Sequence, residues 1–283
     1  MHTVFIHTNN KQLLGAKLSK YSIEKKCGPK LPFDIEIINV DEIETFSEIF
    51  DKEILMNGKP TKYEATDLQS FTLSRFMPPE LMAFKGKSFV IDPDIFCVNA
   101  RFVDVFDLPV DKPVGARLRS GKFLSSAMLL DNERLGDWRI ADFFKALLAQ
   151  EKDYRHFMSL DFEKGNVCAI PDTYNDLDNL DENTVLIHNT NRLTQPWKTG
   201  LKVDFRFTKF KPIFGVVPRE PIHWLLGRRP SRYQSHPDEK QVKFFFEMAR
   251  SAINDGAISP DFVESEIHMR HIRPDFLDVL KAA

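Results

Sequence analysis

Three residues stand out for the chemistry that their side chains offer: Asp92, Asp94 and His188. The two aspartates lie one residue apart at the end of the apolar run 88–91, and His188 follows the apolar run 185–187. Two carboxylates held close together repel each other unless a positive charge lies between them. Two carboxylates and one imidazole suit Mn²⁺ better than Ca²⁺, with Mg²⁺ as the alternative. The pattern indicates a divalent metal site that binds a phosphate group.

The same residues also have a structural interpretation. Aspartates often end strands because they favour turns and helix caps, and a single histidine after a strand is more often structural than a ligand. Pro93 favours an extended conformation for Asp92, so both carboxylates should leave the strand close together. In open α/β sheets ligands bind at that carboxyl edge of the strands. The metal site therefore requires His188 to leave the sheet at the same edge.

The elements that must position these residues follow from the hydrophobic pattern. The run 4–6 predicts a strand, helical spacing of apolar residues up to Cys27 predicts a helix, and the alternation over 33–40 predicts a second strand. This succession is typical of a parallel βαβ unit. Further elements are predicted at 67–76, 114–118, 126–130, 138–149, 237–254 and after Ser259. We expect an α/β fold, with a mostly parallel central sheet flanked by helices in a domain 1–208. A loop and small helical extension, 209–283, should pack on the same domain.

Several polar residues near the ends of the predicted elements offer binding groups. The turn His7-Thr8-Asn9 follows the first strand, and it is either a nucleotide-binding turn or an ordinary strand-to-helix turn with Asn10 as the helix cap. Arg75 either holds an aspartate or a nucleotide near the strand end, or it is a solvated helix residue. Two further cations, Arg192 and Lys198, lie close enough to His188 in sequence to reach a metal-bound diphosphate.

Composition and charge narrow the class of protein. The 283 residues carry a formal net charge of -2, which gives no reason to expect a nucleic-acid partner. Three widely spaced cysteines without metal spacing, and a start without a signal peptide or spanning segment, predict a cytoplasmic protein. The acidic stretch 172–182 is expected to be a solvated surface. The basic and aromatic stretch 209–236 is either a solvated linker or a docking surface for an anionic acceptor or a membrane surface.

Taken in order, these motifs resemble a known family. The turn after the first strand, the segment 74–81 with its Arg, Pro and Glu-Leu, the strand 90–94 with its Asp-x-Asp, and the stretch 187–197 with its His and Pro-Trp fall in the family's order. The strand 125–131 is similar to the family's Asn-Ser-Gly-Val-x-x-Asp strand. The sequence thus resembles nucleotide-sugar glycosyltransferases of the GT-A type, most closely family 8. That family includes glycogenin and the bacterial lipopolysaccharide galactosyltransferases.

The resemblance implies a retaining glycosyltransferase that moves a sugar from a nucleotide diphosphate, UDP above all, to a hydroxyl of a glycan, lipid-linked or small-molecule acceptor. It implies Mn²⁺ or Mg²⁺ as cofactor. Where the family has a glycine and a lysine, Asn191 and Gln195 stand here, which leaves other cations to contact the diphosphate. The residues to which it gives roles are the metal ligands Asp92, Asp94 and His188, the nucleotide-sugar contacts His7, Thr8, Asn9, Arg75, Ser126, Arg192 and Lys198, and Asp161 as a carboxylate near the sugar.

Three other functions remain open. A sugar nucleotidyltransferase shares the α/β plan but normally has a glycine-rich basic loop after the first strand, and the stretch 7–11 has no glycine. A metal-dependent phosphoesterase would usually need further ligands for a second metal. A non-catalytic nucleotide-sugar-binding protein with a decayed site would explain Gln195.

Overall fold

The computed structural model describes residues 2–205 and 230–282. The chain forms two compact units, Met1–Thr190 and Asn191–Ala283. The division at Thr190 precedes the boundary at 208 that the sequence pattern predicts. The part of the basic stretch up to residue 229 lies outside the described residues, so its role stays a prediction.

The first unit is an α/β structure built on three sheets. Its largest sheet has six strands in the order β2-β1-β5-β8-β7-β9, a second has the order β10-β11-β6, and β3 pairs with β4. The strands are β1 (His2–Thr8), β2 (Asp34–Asn39), β3 (Glu53–Met56), β4 (Lys59–Lys62), β5 (Lys87–Ile91), β6 (Ile95–Cys97), β7 (Val114–Arg119), β8 (Lys122–Asp131), β9 (Val167–Ala169), β10 (Asp176–Leu177) and β11 (Leu186–His188). The helices are α1 (Leu13–Cys27), α2 (Pro78–Leu81), α3 (Ile140–Leu148) and α4 (Tyr154–Met158).

The central sheet is mostly parallel, as expected. Strands β1 and β2, β1 and β5, and β7 and β9 pair in parallel, whereas β8 pairs antiparallel with both β5 and β7. Strand β5 is buried on both faces, because Phe89 and Ile91 belong to one hydrophobic cluster and Val90 to the other. Burial on both faces explains the continuous apolar run that ends at the aspartates.

Two sheets meet where β5 ends. The backbone turns between Asp92 and Ile95, with the Ile95 N–H donating to the Asp92 carbonyl at 3.3 Å, and β6 then begins. Strand β6 pairs antiparallel with β11, and this register places Ile95 opposite His188. The turn therefore carries the chain from the central sheet to the strand that ends in the histidine.

Some predicted elements differ from the structure. The segment 67–76 is not one helix, since only Thr72–Phe76 is helical and it forms a 3-10 helix. Backbone carbonyls in its first half instead accept hydrogen bonds from side chains. The carbonyls of Asp67 and Leu68, for example, accept from the side-chain nitrogen of Asn9. The pair Pro78-Pro79 begins helix α2, because proline is tolerated in the first helical turn.

Two polar segments are also placed differently from their predictions. Asn10 does not cap α1: it starts the 3-10 helix Asn10–Gln12, and its side-chain oxygen accepts a hydrogen bond from Asn39. The acidic stretch 172–182 is not wholly a solvated surface. It contains the 3-10 helix Asp172–Asn175 and strand β10, and Asp176 is buried and bonded by the Thr184 hydroxyl at 2.9 Å.

The second unit consists largely of helices in its described part. They are α5 (Glu239–Asn254), α6 (Pro260–His268) and α7 (Phe276–Ala282). Helix α6 follows Ser259 as predicted, and Ser259 caps it by accepting a hydrogen bond from the Phe262 N–H. Trp197 stacks on Phe245 of α5 with ring centroids 4.7 Å apart. In neither unit is any described helix both long and apolar enough to cross a membrane.

A glycine lets helix α1 lie directly against the turn that carries the aspartates. A Cβ atom built at Gly15 would lie 2.5 Å from the carbonyl oxygen of Pro93, the residue between Asp92 and Asp94. Such a contact is far inside van der Waals distance and meets backbone, which cannot move aside alone. Glycine at this position therefore fixes how closely the helix approaches the two carboxylates.

We expect Gly15→Ala to destabilise the protein by about 1–3 kcal/mol, because the added methyl group overpacks the helix against the turn. The free energy of unfolding in urea measures this. Gly136→Ala is the matched control, since no atom lies within 4 Å of a Cβ at Gly136. Equal stability of the two variants would contradict the close packing described for Gly15.

Candidate active site

Backbone hydrogen bonds to neighbouring segments of the chain hold both aspartates of the turn in place. The Asp92 N–H donates to the carbonyl of Ser126 on β8 at 3.2 Å, and the Asp94 carbonyl accepts from the N–H of Asn189 at 3.1 Å. Asp92 is therefore tied to the central sheet, and Asp94 to the residue that follows His188. These two bonds fix where each carboxylate leaves the chain.

The structure brings Asp92, Asp94 and His188 together. One ligand atom from each lies within 4.8 Å of the others, and all three residues are buried. The His188 Nε2 lies 3.4 Å from an Asp94 carboxylate oxygen. Side chains 94 residues apart in sequence thus form one cluster at the carboxyl ends of β5 and β11.

A buried asparagine orients the imidazole of His188. The Asn175 side-chain nitrogen donates to the Ser126 hydroxyl at 3.2 Å, so its oxygen faces the His188 Nδ1, 2.8 Å away, and accepts a hydrogen bond from it. With the proton on Nδ1 fixed in this way, Nε2 points towards the aspartates. Burial opposes protonation of His188, but the Asp94 and Asp92 carboxylates together favour it and raise the pKa of the imidazole. A metal ion at Nε2 would compete with that proton.

Arg75 neutralises the first aspartate through a bidentate ion pair. Its Nε donates to one Asp92 oxygen at 2.8 Å and its Nη2 to the other at 2.5 Å, while Nη1 donates to the Ser125 hydroxyl at 3.0 Å. Both side chains are only 7% exposed. Burial raises the pKa of Asp92, the Arg75 charge opposes that rise, and Asp94 adds to it. Because a guanidinium fork needs two acceptor oxygens, the geometry is that of an ionised carboxylate.

The donor set fits a divalent cation. An ionised carboxylate has about four lone-pair positions, so the two taken by Arg75 leave others on Asp92 for a metal. The charges of Asp92, Asp94 and Arg75 sum to minus one when His188 is neutral. A divalent cation would make the cluster positive overall and suited to hold an anionic diphosphate. Two carboxylates and one imidazole suit Mn²⁺, with Mg²⁺ as the harder alternative.

At the end of β1, His7 is buried with an unused acceptor. The Ser74 hydroxyl donates to the Phe71 carbonyl at 2.7 Å, and it therefore accepts from the His7 Nδ1, also at 2.7 Å. The His7 Nε2 is buried and has no hydrogen-bond partner within the described residues. Burial, aided by the nearby Arg75 charge, lowers the pKa of His7 to about 3.

The neighbouring Asn9 also points an unused acceptor into the protein. Its side-chain nitrogen donates to the carbonyls of Asp67 and Leu68, at 3.2 and 3.1 Å, and to the Ser70 hydroxyl at 2.9 Å. These bonds fix the orientation of the amide. Its oxygen is buried, and no partner for it exists among residues 2–205 and 230–282. Buried acceptors without partners are rare in proteins, so this oxygen requires a donor from an ordered water or from a bound molecule.

The other predicted site residues have partners of their own. Thr8 is buried, and its hydroxyl donates to the Asn9 carbonyl at 3.0 Å. Asp161 is exposed and accepts a hydrogen bond from Ser159 at 2.6 Å. In the second unit, the Arg192 guanidinium lies 4.4 Å from the centre of the Phe205 ring. Lys198, fully buried, pairs with Asp204 at 3.2 Å. The roles given to these four residues stay predictions.

Asn175, Ser125 and Arg117 also support the site, and no sequence pattern predicts these roles. Arg117, on β7, donates to the Asn175 carbonyl at 2.5 Å and pairs with the Asp172 carboxylate at 3.2 Å, so it holds the segment from which Asn175 reaches His188. Asn175 stands in a stretch whose acidic composition is typical of a solvated surface. Its one local signal is Tyr174, an aromatic residue inside that stretch, which is buried.

The fold is similar to those of solved glycosyltransferases. The apo form of the glycosyltransferase GlyE of Streptococcus pneumoniae TIGR4 aligns with a TM-score of 0.48 and 13% identity, over 83% of this chain and 65% of that one. The galactosyltransferase LgtC, in complex with donor and acceptor sugar analogs, aligns with a TM-score of 0.48 and 13% identity, over 70% and 89%. Mouse xyloside xylosyltransferase 1 aligns with a TM-score of 0.44 and 12% identity, over 67% and 97%.

These structural similarities do not by themselves show the function of this protein. All three TM-scores lie below 0.5, and the chain spans less than two thirds of the GlyE chain. No protein-family model matches the sequence. No curated protein matches it significantly. A function therefore has to be inferred from the residues that the fold brings together.

We expect Asn175→Ala to weaken Mn²⁺ binding by about 10–100-fold, because it removes the acceptor that orients the His188 imidazole. Asn175→Asp keeps an acceptor and should bind within a few-fold of the parent. Calorimetric titration with MnCl₂ measures the affinity. Asn179→Ala, an exposed amide of the same segment, is the control. Parent-like binding by Asn175→Ala would show that the imidazole needs no such support.

We expect the stability of the protein to fall at acid pH through His7. The pKa of His7 is about 3 in the folded state and 6.5 ordinarily. As the pH falls below 6.5, His7 therefore becomes protonated in the unfolded chain but stays neutral in the folded one, and this favours unfolding. Between pH 7 and pH 5 the parent should lose about 2 kcal/mol more than His7→Asn, as urea unfolding would show. The control variant His268→Asn, at an exposed position, should lose as much stability between pH 7 and pH 5 as the parent does. Equal losses in the parent and His7→Asn would contradict the assignment.

Proposed function

We propose that this protein is a metal-dependent retaining glycosyltransferase that moves a sugar from a nucleotide diphosphate, UDP above all, to an acceptor hydroxyl. The observation that carries the proposal is the convergence of Asp92, Asp94 and His188 within 4.8 Å at the carboxyl ends of two strands. That edge is where ligands bind in open α/β sheets. The resemblance of the sequence motifs to family 8 supports transfer with retention.

The chain's own residues would hold the cation and determine the net charge of the site around it. Oxygens of Asp92 and Asp94 and the Nε2 of His188 are the ligands, and Asn175 keeps the imidazole turned towards them. When bound, Mn²⁺ or Mg²⁺ supplies Lewis-acid stabilisation of the charge that develops on the leaving diphosphate. Arg75 cancels one of the two carboxylate charges, so the anionic donor meets less repulsion at the site.

The end of β1 supplies acceptors for the nucleotide base. The unused acceptors on His7 and Asn9 require N–H or O–H donors to satisfy them. Uracil carries one such donor, the ring N–H at N3, and cytosine carries an amino group at C4. A base that leaves such buried acceptors unpaired is strongly rejected. This chemistry is met by a base that carries N–H donors, and the choice of uridine rests on the resemblance to family 8.

The transfer itself exchanges one bond at the anomeric carbon of the sugar. The bond from C1 to the diphosphate oxygen breaks, the bond from C1 to the acceptor oxygen forms, and the departing phosphate takes the acceptor's proton. A protein nucleophile is then not needed for retention. Asp161 near the sugar, with Arg192 and Lys198 at the diphosphate, completes the proposed set of contacts.

Two alternatives are weaker on the same observations. Among the described residues, Asp92, Asp94 and His188 are the one group of three or more metal-ligating side chains. Three ligands serve a single cation, whereas a two-metal phosphoesterase needs a second set. A sugar nucleotidyltransferase would hold a triphosphate in a glycine-rich loop, and the turn after β1 has buried polar side chains in its place.

We expect Asp94→Ala and His188→Ala each to abolish the Mn²⁺-dependent release of free sugar from a UDP-sugar, because each removes one of three ligands. A panel of UDP-glucose, UDP-galactose and CDP-glucose, read by released sugar and by thermal shift, measures this and the choice of base. Asp111→Ala, an exposed carboxylate elsewhere, is the control. Unchanged activity in either ligand variant would remove the proposed metal site. A preference for CDP-glucose would remove the uridine assignment.

A further inference from the structure

Strand β8 extends past the end of β5, at the edge of the sheet that carries the candidate metal site. The antiparallel register places Ile91, the last residue of β5, opposite Ala127, and the Asp92 N–H donates to the Ser126 carbonyl. Since the two strands run in opposite directions, residues 122–125, which precede Ser126, lie beyond that edge. The hairpin of β7 and β8 therefore projects from the edge where the aspartates leave the sheet.

The projecting part of the hairpin is a two-stranded ribbon, residues 117–124. Ala116 of β7 pairs with Met128, whereas the next residue pairs with Leu124, so a bulge in β8 separates the ribbon from the sheet. In the pairing that the structure describes, β9 reaches β7 as far as Ala116. The turn Ser120-Gly121 at the tip has positive φ at both residues, which suits a two-residue hairpin turn. The ribbon is thus a defined projection beside the metal site.

The ribbon has an apolar face and a basic face. Directly paired residues of antiparallel strands carry their side chains on the same face, so Leu118 shares one face with Phe123, and Arg119 shares the other with Lys122. Phe123 is half-buried against a hydrophobic cluster of the first unit, whereas Leu118 is 44% exposed. The apolar face therefore continues from the core of the unit to the tip of the ribbon, where it meets solvent.

The charge of the hairpin is positive. Residues 112–130 contain four cationic residues and no acidic residue. Arg117 is neutralised by Asp172, whose carboxylate lies 3.2 Å away. Arg119 and Lys122 are exposed, and in the part of the chain that the structure describes neither forms an ion pair. Two uncompensated positive charges thus lie at the tip, next to an exposed leucine.

We propose that the ribbon 117–124 docks this protein on a lipid bilayer that carries anionic head groups. Arg119 and Lys122 lie among the head groups and attract the anionic lipids, while Leu118 enters the boundary between head groups and acyl chains. A soluble polyanion would account for the two cations but not for the exposed leucine. Docking brings the hydroxyl of a lipid-linked acceptor to the neighbouring metal site, a consequence that rests on the proposed function.

Cosedimentation of the full chain with vesicles tests the proposal. Vesicles of equal parts phosphatidylcholine and phosphatidylglycerol should bind the parent, and vesicles of phosphatidylcholine alone should not. Added salt should release the protein, because it screens exposed charges. Replacing both cations, Arg119→Gln with Lys122→Gln, should weaken binding about 25-fold, since each cation near an anionic surface contributes about fivefold. Leu118→Gln should weaken binding about fivefold, because an exposed apolar side chain no longer leaves water.

Two matched control variants change residues at the opposite edge of the sheet. Lys25→Gln with Lys26→Gln removes two exposed cations from the end of α1, which ends shortly before β2 begins. Leu81→Gln removes a leucine that is 48% exposed on α2, the helix that precedes β5. Both controls should bind the anionic vesicles as the parent does. Thermal unfolding of every variant checks that these changes at exposed positions keep the fold.

Three results would overturn the proposal. They are a parent that does not bind the anionic vesicles, ribbon variants that bind them as tightly as the parent, and binding of heparin through Arg119 and Lys122 without any binding of vesicles. The last result would make the ribbon a site for a soluble polyanion. Vesicle binding without Mn²⁺-dependent sugar release counts against the proposed function alone. Sugar release without vesicle binding counts against the ribbon alone.

Discussion

The structure depends on how it neutralises two carboxylates that the chain buries one residue apart. A buried charge without a partner costs several kcal/mol, so the turn after β5 is stable only with compensating groups in place. Arg75 supplies them for Asp92 through both oxygens of the carboxylate. For Asp94 the compensating group is His188, whose raised pKa follows from that carboxylate. When His188 gives up its proton, one net negative charge remains on the cluster, which is the condition that favours a divalent cation.

The site is assembled by packing as much as by charge. Backbone hydrogen bonds to Ser126 and Asn189 fix the position of the turn. Helix α1 can lie against the turn because Gly15 has no side chain. The imidazole is fixed from behind by Asn175, which is itself held by Arg117. The metal-binding side chains are thus oriented by residues that would not themselves contact the metal, an arrangement that lowers the conformational cost of binding.

The sequence was informative where a local pattern determines the outcome. The apolar run of β5 predicts a buried strand, and the aspartates that follow it must lie at its carboxyl edge. The pairing of Arg75 was one of two interpretations, since a spacing of 17 residues leaves its partner open. Asn175 was beyond prediction because its contact with His188 depends on how the 3-10 helix Asp172–Asn175 packs on β11. The sequence around Lys198 likewise does not indicate that this residue pairs with Asp204.

The most direct measurement of the central claim is a crystal structure of the protein soaked in MnCl₂, with anomalous diffraction recorded at the manganese absorption edge. The account predicts one strong anomalous peak in each chain, at coordination distance from oxygens of Asp92 and Asp94 and from the Nε2 of His188. It also predicts that the contact between His188 and Asp94 is replaced by bonds to the metal. A density map without a peak at this cluster, with the imidazole still hydrogen-bonded to Asp94, would contradict it.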